Sequence, residues 1–268
     1  MQRLNTEDIH AALLDILKDI DSFCQENGIQ YSLSGGTLLG AVRHHGFIPW
    51  DEDADIVMPR PDFERFKASY TGRRYAIVPQ EKGAEFYNGN IHLKVHDSTT
   101  ILHEKKSPKS FRFGVFVDVF AMDGLPEDSH ARKKLFKASR HFSHRCFYNQ
   151  LPLFSSATSV FGGLLARIES KLMPLHYWQK KFHELESLPY EGSRYVGVIC
   201  GLHGVRETLP REAFANYERV PFEDTTLPIA TGYDTILTSF YGDYMTPPPA
   251  DKRSDAHLIE AWKIGNAS

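Results

Sequence analysis

An alternating pair of aspartates that runs directly into an apolar segment constrains this chain more than any other feature. Asp53 and Asp55 precede residues 56–58 (Ile-Val-Met), which draw the segment into a protein core. In a β-strand, residues i and i+2 face the same side and lie about 6.6 Å apart. Two such carboxylates repel each other unless a cation lies between them, and Mg²⁺ prefers carboxylate and phosphate oxygens. Asp51, two residues before Asp53, adds a third carboxylate on the same side. The alternative interpretation is a solvated acidic turn, in which Asp-X-Asp sequences also occur.

A glycine turn lies upstream of these aspartates. Residues 34–37 (Ser-Gly-Gly-Thr) follow a predicted strand at 29–33 and precede a short apolar helix at 38–43. Glycine lets the backbone approach a ligand closely, and free amides at a helix start attract phosphate. The segment is neither a Walker loop nor a GxGxxG motif. Taken alone, it is better explained as a tight strand–helix turn.

Two charged residues interrupt apolar strands further along the chain. Asp118 lies within residues 114–120 (Gly-Val-Phe-Val-Asp-Val-Phe), and Lys94 lies within residues 91–95 (Ile-His-Leu-Lys-Val). A charge in such a strand is costly unless it is paired or bound to metal. The alternative to metal binding is an ion pair between Asp118 and an Arg or Lys. A pair between Lys94 and one of the carboxylates would place Lys94 at the same site.

The hydrophobic periodicity predicts one α/β (α+β) domain over residues 1–268, with a helical insertion at 128–190. Helices are predicted from Asn5 or Thr6 to Gly28 and at 62–70, 128–149, 160–185 and 233–240, and further strands at 75–79, 91–97 and 114–120. A glycine turn that opens a helix, a strand with paired carboxylates and a third carboxylate on a separate strand are the layout of the nucleotidyltransferase fold. In that fold, which has a mixed sheet, the carboxylates hold two divalent ions on the phosphates of a nucleotide.

Composition excludes several other classes of protein. With 31 Lys and Arg against 34 Asp and Glu, the net charge of −3 argues against a general nucleic-acid binder. No apolar run approaches the ~20 residues of a transmembrane helix, and no signal peptide is visible at the start. Three scattered cysteines, Cys24, Cys146 and Cys200, predict reduced thiols in a cytoplasmic protein. None of the 13 histidines forms an HExxH motif, so most are expected at the surface or satisfied in the core.

Several segments together closely resemble the LicD family, which includes fukutin-like enzymes. The longest is residues 34–60 (Ser-Gly-Gly-Thr-Leu-Leu-Gly-Ala-Val-Arg-His-His-Gly-Phe-Ile-Pro-Trp-Asp-Glu-Asp-Ala-Asp-Ile-Val-Met-Pro-Arg). Shorter matches follow in order at residues 94–100, 117–126, 220–223, 232–234 and 237–249. His96 stands where the family often has Arg, and Ala121 where it often has Pro, so a phosphate contact at position 96 is in doubt.

The resemblance implies a reaction class. Members of the family transfer a phospho-alcohol group from a CDP-activated donor to a sugar hydroxyl, and CMP leaves. The expected donor is CDP-choline, because the chain looks most like the bacterial cholinephosphotransferases; ribitol, glycerol and ethanolamine are the alternative alcohols. The expected acceptor is a surface glycan such as lipopolysaccharide, lipooligosaccharide or teichoic acid, or one that is lipid-linked. The expected cofactor is Mg²⁺ or Mn²⁺, with two ions bound.

These expectations assign a role to each candidate residue. Asp53 and Asp55 are expected to hold both ions, with Asp51 as an auxiliary, and Asp118 to complete one site and accept the hydroxyl proton. The predicted phosphate-binding residues are Gly35, Gly36, Thr37, Arg43 and Lys94, although Arg43 could instead pair with an Asp. A quaternary ammonium needs an aromatic wall, for which the candidates are Trp50, Tyr233, Tyr241 and Tyr244. With 33 aromatic residues in the chain, ordinary packing explains most of these four.

Three other functions compete with this one. A nucleotidyltransferase on the same fold would attack the α-phosphate and release pyrophosphate. A metal-dependent sugar transferase could use the Asp-X-Asp, but the upstream glycines and distant Asp118 argue against it. A catalytically inactive binding module would have no reason to keep a repulsive carboxylate cluster.

One apolar segment raises the question of membrane contact. From Val160 to Met173 apolar residues recur at helical spacing, and Arg167, Lys171, Lys180 and Lys181 add positive charge. A segment near 151–178 could therefore meet a lipid-linked acceptor at the cytoplasmic membrane face. A stripe packed on the domain is the preferred interpretation, because most such stripes are core.

Overall fold

The computed structural model describes residues 1–72, 74–78, 91–104, 113–151, 162–249, 253 and 259–264. Seven α-helices lie within these ranges: α1 (Thr6–Asn27), α2 (Gly35–His44), α3 (Arg60–Ser69), α4 (Ser129–Gln150), α5 (Gly162–Lys171), α6 (Leu175–His183) and α7 (Tyr233–Tyr241). The strands are β1 (Gln2–Arg3), β2 (Ser32–Leu33), β3 (Asp55–Pro59), β4 (Tyr75–Ile77), β5 (Leu93–Asp97), β6 (Thr100–Glu104), β7 (Phe116–Leu125), β8 (Tyr195–Gly197), β9 (Leu209–Pro210), β10 (Tyr217–Phe222), β11 (Thr225–Ala230) and β12 (Ile259–Lys263).

A mixed sheet forms the centre of the molecule, with strands in the order β2-β3-β7-β5-β4 and with β8 and β9 attached to the far end of β7. The β3–β7 pair is parallel, whereas β2–β3, β5–β7 and β4–β5 are antiparallel. A small sheet, β1-β12-β6, and the β10–β11 hairpin lie outside it. The mixed α/β class expected from the sequence is confirmed.

The N-terminal helix follows its sequence signals closely. The Asn5 side chain accepts a hydrogen bond from the Asp8 amide and the Asp8 carboxylate accepts one from the Asn5 amide, so the two form a capping box. Gly28 ends the helix in the left-handed conformation, with φ of +59°. The apolar residues that recur along α1 are buried against the sheet, where they form part of the main core.

Other local expectations were wrong in detail. The helix expected to be capped by Asp62 starts earlier, at Arg60, and Pro59 takes the capping position without a side-chain bond. The single helix expected over 160–185 is two helices, α5 and α6, because Pro174 cannot continue α5 and instead caps α6. After Ala213 the sequence predicts a helix at 233–240 and no strand, whereas the structure also has the β10–β11 hairpin there.

The helical region has an apolar cluster of its own. Phe136, Cys146, Leu175, Trp178 and Phe182, with neighbours from the end of β7, pack apart from the main core. That arrangement agrees with a helical insertion, although a single domain with an insertion at 128–190 stays a prediction. All three cysteines are free, as expected, and burial raises the pKa of the Cys24 and Cys146 thiols to about 12. No helix that the structure describes has both the length and the apolar character needed to span a bilayer.

Candidate active site

The three strands at the centre of the sheet bring the predicted site residues into one row. Asp55, the first residue of β3, is the register partner of Asp118 on β7. Asp118 is in turn the partner of Lys94 on β5. Register partners point to the same face of a sheet. The row Asp55–Asp118–Lys94 therefore unites residues that are up to 63 positions apart in the sequence.

Two side-chain nitrogen atoms lie close to Asp118. Lys94 Nζ lies 2.7 Å from Asp118 Oδ1 and His92 Nε2 lies 3.1 Å from the same oxygen. Burial alone would raise the pKa of Asp118, but Lys94 and His92 outweigh it and lower that pKa to about 2. Lys94 is itself buried, and its ammonium lies 3.4 Å from the centroid of the Phe116 ring. The ion pair considered as the alternative for both charged residues is thus present, at the site that the carboxylates form.

The pKa of Asp55 is shifted in the opposite direction from that of Asp118. Burial raises its pKa well above the usual value, and the charges of Asp53, Asp118 and Asp51 raise it further, while Lys94 opposes them. The ionised cluster is therefore unfavourable in the absence of added positive charge. Among the residues that the structure describes, no three His, Cys, Asp or Glu side chains form a ready-made metal cluster.

The two glycines of the Ser-Gly-Gly-Thr segment lie against these carboxylates. A Cβ on Gly35 would lie 2.7 Å from Asp55 Oδ2, and one on Gly36 would lie 2.6 Å from Asp51 Oδ2. Gly35 also has φ of +52°, which side-chain-bearing residues rarely adopt. The segment forms the first turn of α2 rather than a loop before it, so its glycines put the helix start directly beside the acidic cluster.

Thr37 and Arg43 make structural contacts. The buried Thr37 hydroxyl accepts a hydrogen bond from the Asp55 amide at 2.9 Å, which fixes the start of β3. Arg43 donates to the Tyr244 carbonyl at 2.8 Å and to His44 Nε2 at 3.0 Å. The predicted contacts of Thr37 and Arg43 with phosphate therefore stay predictions. Arg43 contacts Tyr244 and His44.

The four aromatic candidates for a choline-binding wall have different neighbours. Trp50 lies beside His44, and the Arg253 guanidinium carbon lies 5.0 Å from the centroid of the Trp50 ring. The Tyr244 hydroxyl donates to Asp234, and Tyr233 packs against the main core. The Tyr241 ring lies 5.2 Å from the His203 ring, centroid to centroid. Burial and then the charges of Asp55, Asp51, Glu207 and Asp53 raise the pKa of Tyr241.

Sequence reasoning missed one residue of this site, His92, and one buried carboxyl group, Glu207. His92 contacts Asp118, and its position two residues before Lys94 on the same strand face was the available signal. Glu207, at the end of a short 3₁₀ helix (Gly204–Glu207), is buried, and burial raises its pKa to about 8. Nothing in its local sequence indicates burial, because the turn that carries it is packed by contacts distant in the chain. His96 accepts a hydrogen bond from the Gly114 amide, a structural contact within the fold.

Known proteins resemble this chain over different lengths. Residues 28–167 match the family described as LicD/FKTN/FKRP, nucleotidyltransferase domain. The chain is 30% identical to the lipopolysaccharide cholinephosphotransferase LicD of Haemophilus influenzae. The alignment covers 98% of this chain and 99% of that protein. A 45-residue stretch is 42% identical to the human ribitol 5-phosphate transferase FKRP, covering 17% of this chain and 9% of that protein.

Proposed function

The chain belongs to the LicD/FKTN/FKRP family, and we propose that it transfers phosphocholine from CDP-choline to a sugar hydroxyl of a bacterial surface glycan, releasing CMP. The full-length similarity to a lipopolysaccharide cholinephosphotransferase supports choline and lipopolysaccharide over other alcohols and glycans. The similarity to a ribitol 5-phosphate transferase is restricted to a short stretch. By their names, both relatives transfer a phospho-alcohol group.

One observation carries this proposal. Asp55, Asp118 and Lys94 form a row across three strands, with the glycine-rich start of α2 against Asp55. A phosphate diester bound along this row would have the backbone amides of the α2 start near one end and the Lys94 ammonium near the other, with the carboxylates between them. Positioning and charge stabilisation of this kind are the main contributions that proteins make to phosphoryl transfer.

The acidic cluster suits a divalent cation. The carboxylates of Asp53 and Asp55, with Asp51 as an auxiliary, would hold Mg²⁺ or Mn²⁺, and their mutual repulsion is what such an ion relieves. Mg²⁺ is usually bound by one or two protein carboxylates together with substrate phosphates rather than by an all-protein cage, so a ready-made cluster of three ligands is not required. When bound, the ion would neutralise the charge on the pyrophosphate and lower the pKa of the attacking hydroxyl.

The chain's own residues have separate parts in the proposed step. The acceptor oxygen forms a bond to the phosphorus of phosphocholine and passes its proton to Asp118, while the bond from that phosphorus to the CMP oxygen breaks and CMP leaves with the electron pair. Lys94 lies where negative charge develops, and Asp118 keeps it there through the 2.7 Å ion pair. The roles of Asp118 as the acceptor of the hydroxyl proton and as a ligand to one ion stay predictions.

The test is incubation of the protein with CDP-choline and Mg²⁺, with and without candidate glycans, followed by analysis of the released nucleotide. We expect CMP, formed faster with an acceptor, and a phosphocholine-modified glycan. Release of pyrophosphate from a nucleoside triphosphate instead would identify a nucleotidyltransferase. Faster turnover of CDP-ribitol, CDP-glycerol or CDP-ethanolamine than of CDP-choline would assign a different alcohol to the same reaction.

A further inference from the structure

Helix α5 buries polar residues and exposes apolar ones, the reverse of an ordinary surface helix. Its polar residues Arg167 and Ser170 are buried, with 3% and 0% exposure, whereas Leu165 and Ile168 are 69% and 44% exposed. Leu172 and Met173, which directly follow the helix, are 73% and 37% exposed. A helix normally buries its apolar side. The prediction that this apolar stripe packs on the domain is therefore wrong for these four residues. We name Leu165, Ile168, Leu172 and Met173 the α5 stripe.

Specific polar contacts hold α5 in this orientation. The Ser170 carbonyl accepts hydrogen bonds from Trp178 Nε1 at 2.9 Å and from Asn149 Nδ2 at 2.6 Å. The Ser170 hydroxyl donates to the Arg167 carbonyl at 2.7 Å. These bonds attach the polar side of α5 to α4 and α6, so exposure of the α5 stripe follows from how the helix is fixed. Contiguous exposed apolar surface of this kind marks an interaction site.

Positive charge flanks the α5 stripe. A groove of about 1250 Å³ opens beside it, with Met173 in its wall. Among the residues of that wall that the structure describes, Lys67, Lys171 and Lys180 are cationic and none is a carboxylate. Glu169, the acidic residue of α5, is paired with Arg145. The surface thus combines aliphatic side chains with three lysines.

We propose that the α5 stripe docks on the surface of a membrane that contains anionic lipid. Aliphatic residues flanked by lysines bind such surfaces through apolar burial and attraction to anionic headgroups together. Protein partners, in contrast, favour surfaces rich in Trp, Tyr and Arg, and the α5 stripe contains only Leu, Ile and Met. The inference does not depend on the proposed reaction, because the test measures binding alone.

The test is flotation of the full chain with phosphatidylcholine vesicles that contain either no anionic lipid or about 30% phosphatidylglycerol. We expect binding to the anionic vesicles at about 0.05 M salt and weaker binding at about 0.5 M. Leu165→Gln with Leu172→Gln should reduce the partition coefficient about tenfold or more without lowering the Tm, and Lys180→Glu should reduce it on anionic vesicles. The matched control is Leu188→Gln with Ile264→Gln, which removes two exposed aliphatic side chains elsewhere and should bind like the parent chain.

Two outcomes would overturn the proposal. One is that the parent chain fails to float with either vesicle, or that the double variant on the α5 stripe binds no more weakly than its control. The other is a concentration-dependent dimer, without vesicle binding, that the same double variant dissociates. That result would assign the α5 stripe to an interface between two copies of the chain.

Discussion

Lys94 and Asp118 are register partners on neighbouring antiparallel strands, and 2.7 Å separates Lys94 Nζ from Asp118 Oδ1. Both side chains are largely withdrawn from solvent, at 4% and 14% exposure. Removing one partner of a buried pair leaves the other charge uncompensated, whereas replacing both is far less costly. The pair therefore links the stability of the sheet to the electrostatics of the candidate site.

That relationship predicts a non-additive double-mutant cycle. Lys94→Met should lower the free energy of unfolding by about 3 kcal/mol, because Asp118 stays buried without its closest cation. Lys94→Met with Asp118→Leu should recover much of the loss. Urea unfolding at pH 7 measures all members of the cycle, and losses that simply add would show that the two side chains are not coupled.

Asp53→Asn and Asp55→Asn should each reduce transfer by roughly 10²–10³-fold or more, because each removes a charge from the proposed cation site while nearly preserving shape. Asp55→Asn should leave the protein as stable as the parent chain or more so, since its ionised form is disfavoured in the fold. CMP release and thermal unfolding measure the two effects. Asp224→Asn, at an exposed aspartate, is the control for activity. Near-normal turnover of either site variant at saturating Mg²⁺ would remove these residues from the site.

Mg²⁺ should stabilise the folded chain in the absence of any nucleotide. An ion that binds only the native state adds about 2.7 kcal/mol when its free concentration is about 100 times Kd. EDTA should reverse the rise in Tm and stop transfer, and Mn²⁺ should restore both. Asp55→Asn should lose most of the shift. A Tm that responds equally in the parent and variant chains would place the ion elsewhere.

Gly35→Ala should impair activity beyond its effect on stability. Gly35 and Gly28 have similar φ values of +52° and +59°, so Ala costs about 1–2 kcal/mol of backbone strain at either position. Only at Gly35 does the added Cβ approach a carboxylate of the site, whereas Gly28 has nothing within 4 Å. Both variants should lose similar stability, but only Gly35→Ala should lose transfer. Equal activity of the two would mean that Asp55 moves aside without consequence.

Glu207 should make stability depend on pH above the acid range. Its pKa is raised from 4.5 to about 8 in the fold, so between these values the native state binds the proton that the unfolded state has lost. The free energy of unfolding therefore falls as pH rises from 4.5 to about 8, by a few kcal/mol. Glu207→Gln should flatten the profile and be the more stable protein at pH 8. Glu212→Gln, an exposed neighbour, should keep the parent slope, and an unchanged slope in Glu207→Gln would show that Glu207 ionises normally.

The sequence by itself determined the features that depend on near neighbours. The capping box of Asn5 and Asp8 follows from a three-residue spacing. Asp55 leads an apolar strand because β-branched and apolar residues follow it directly. The charges of Asp118 and Lys94 were recognisable as costly because each interrupts an apolar strand. Similarity to a known family then predicted that these residues form one site.

Only the tertiary structure decided which of these residues meet and which surfaces stay exposed. Parallel pairing of β3 with β7 sets Asp118 beside Asp55, and antiparallel pairing of β5 sets Lys94 and His92 on Asp118. Burial of Glu207 and exposure of Leu165 follow from contacts between distant segments. The physical reason is that periodicity encodes the face on which a side chain lies, whereas strand register and helix rotation are set by packing across the whole chain.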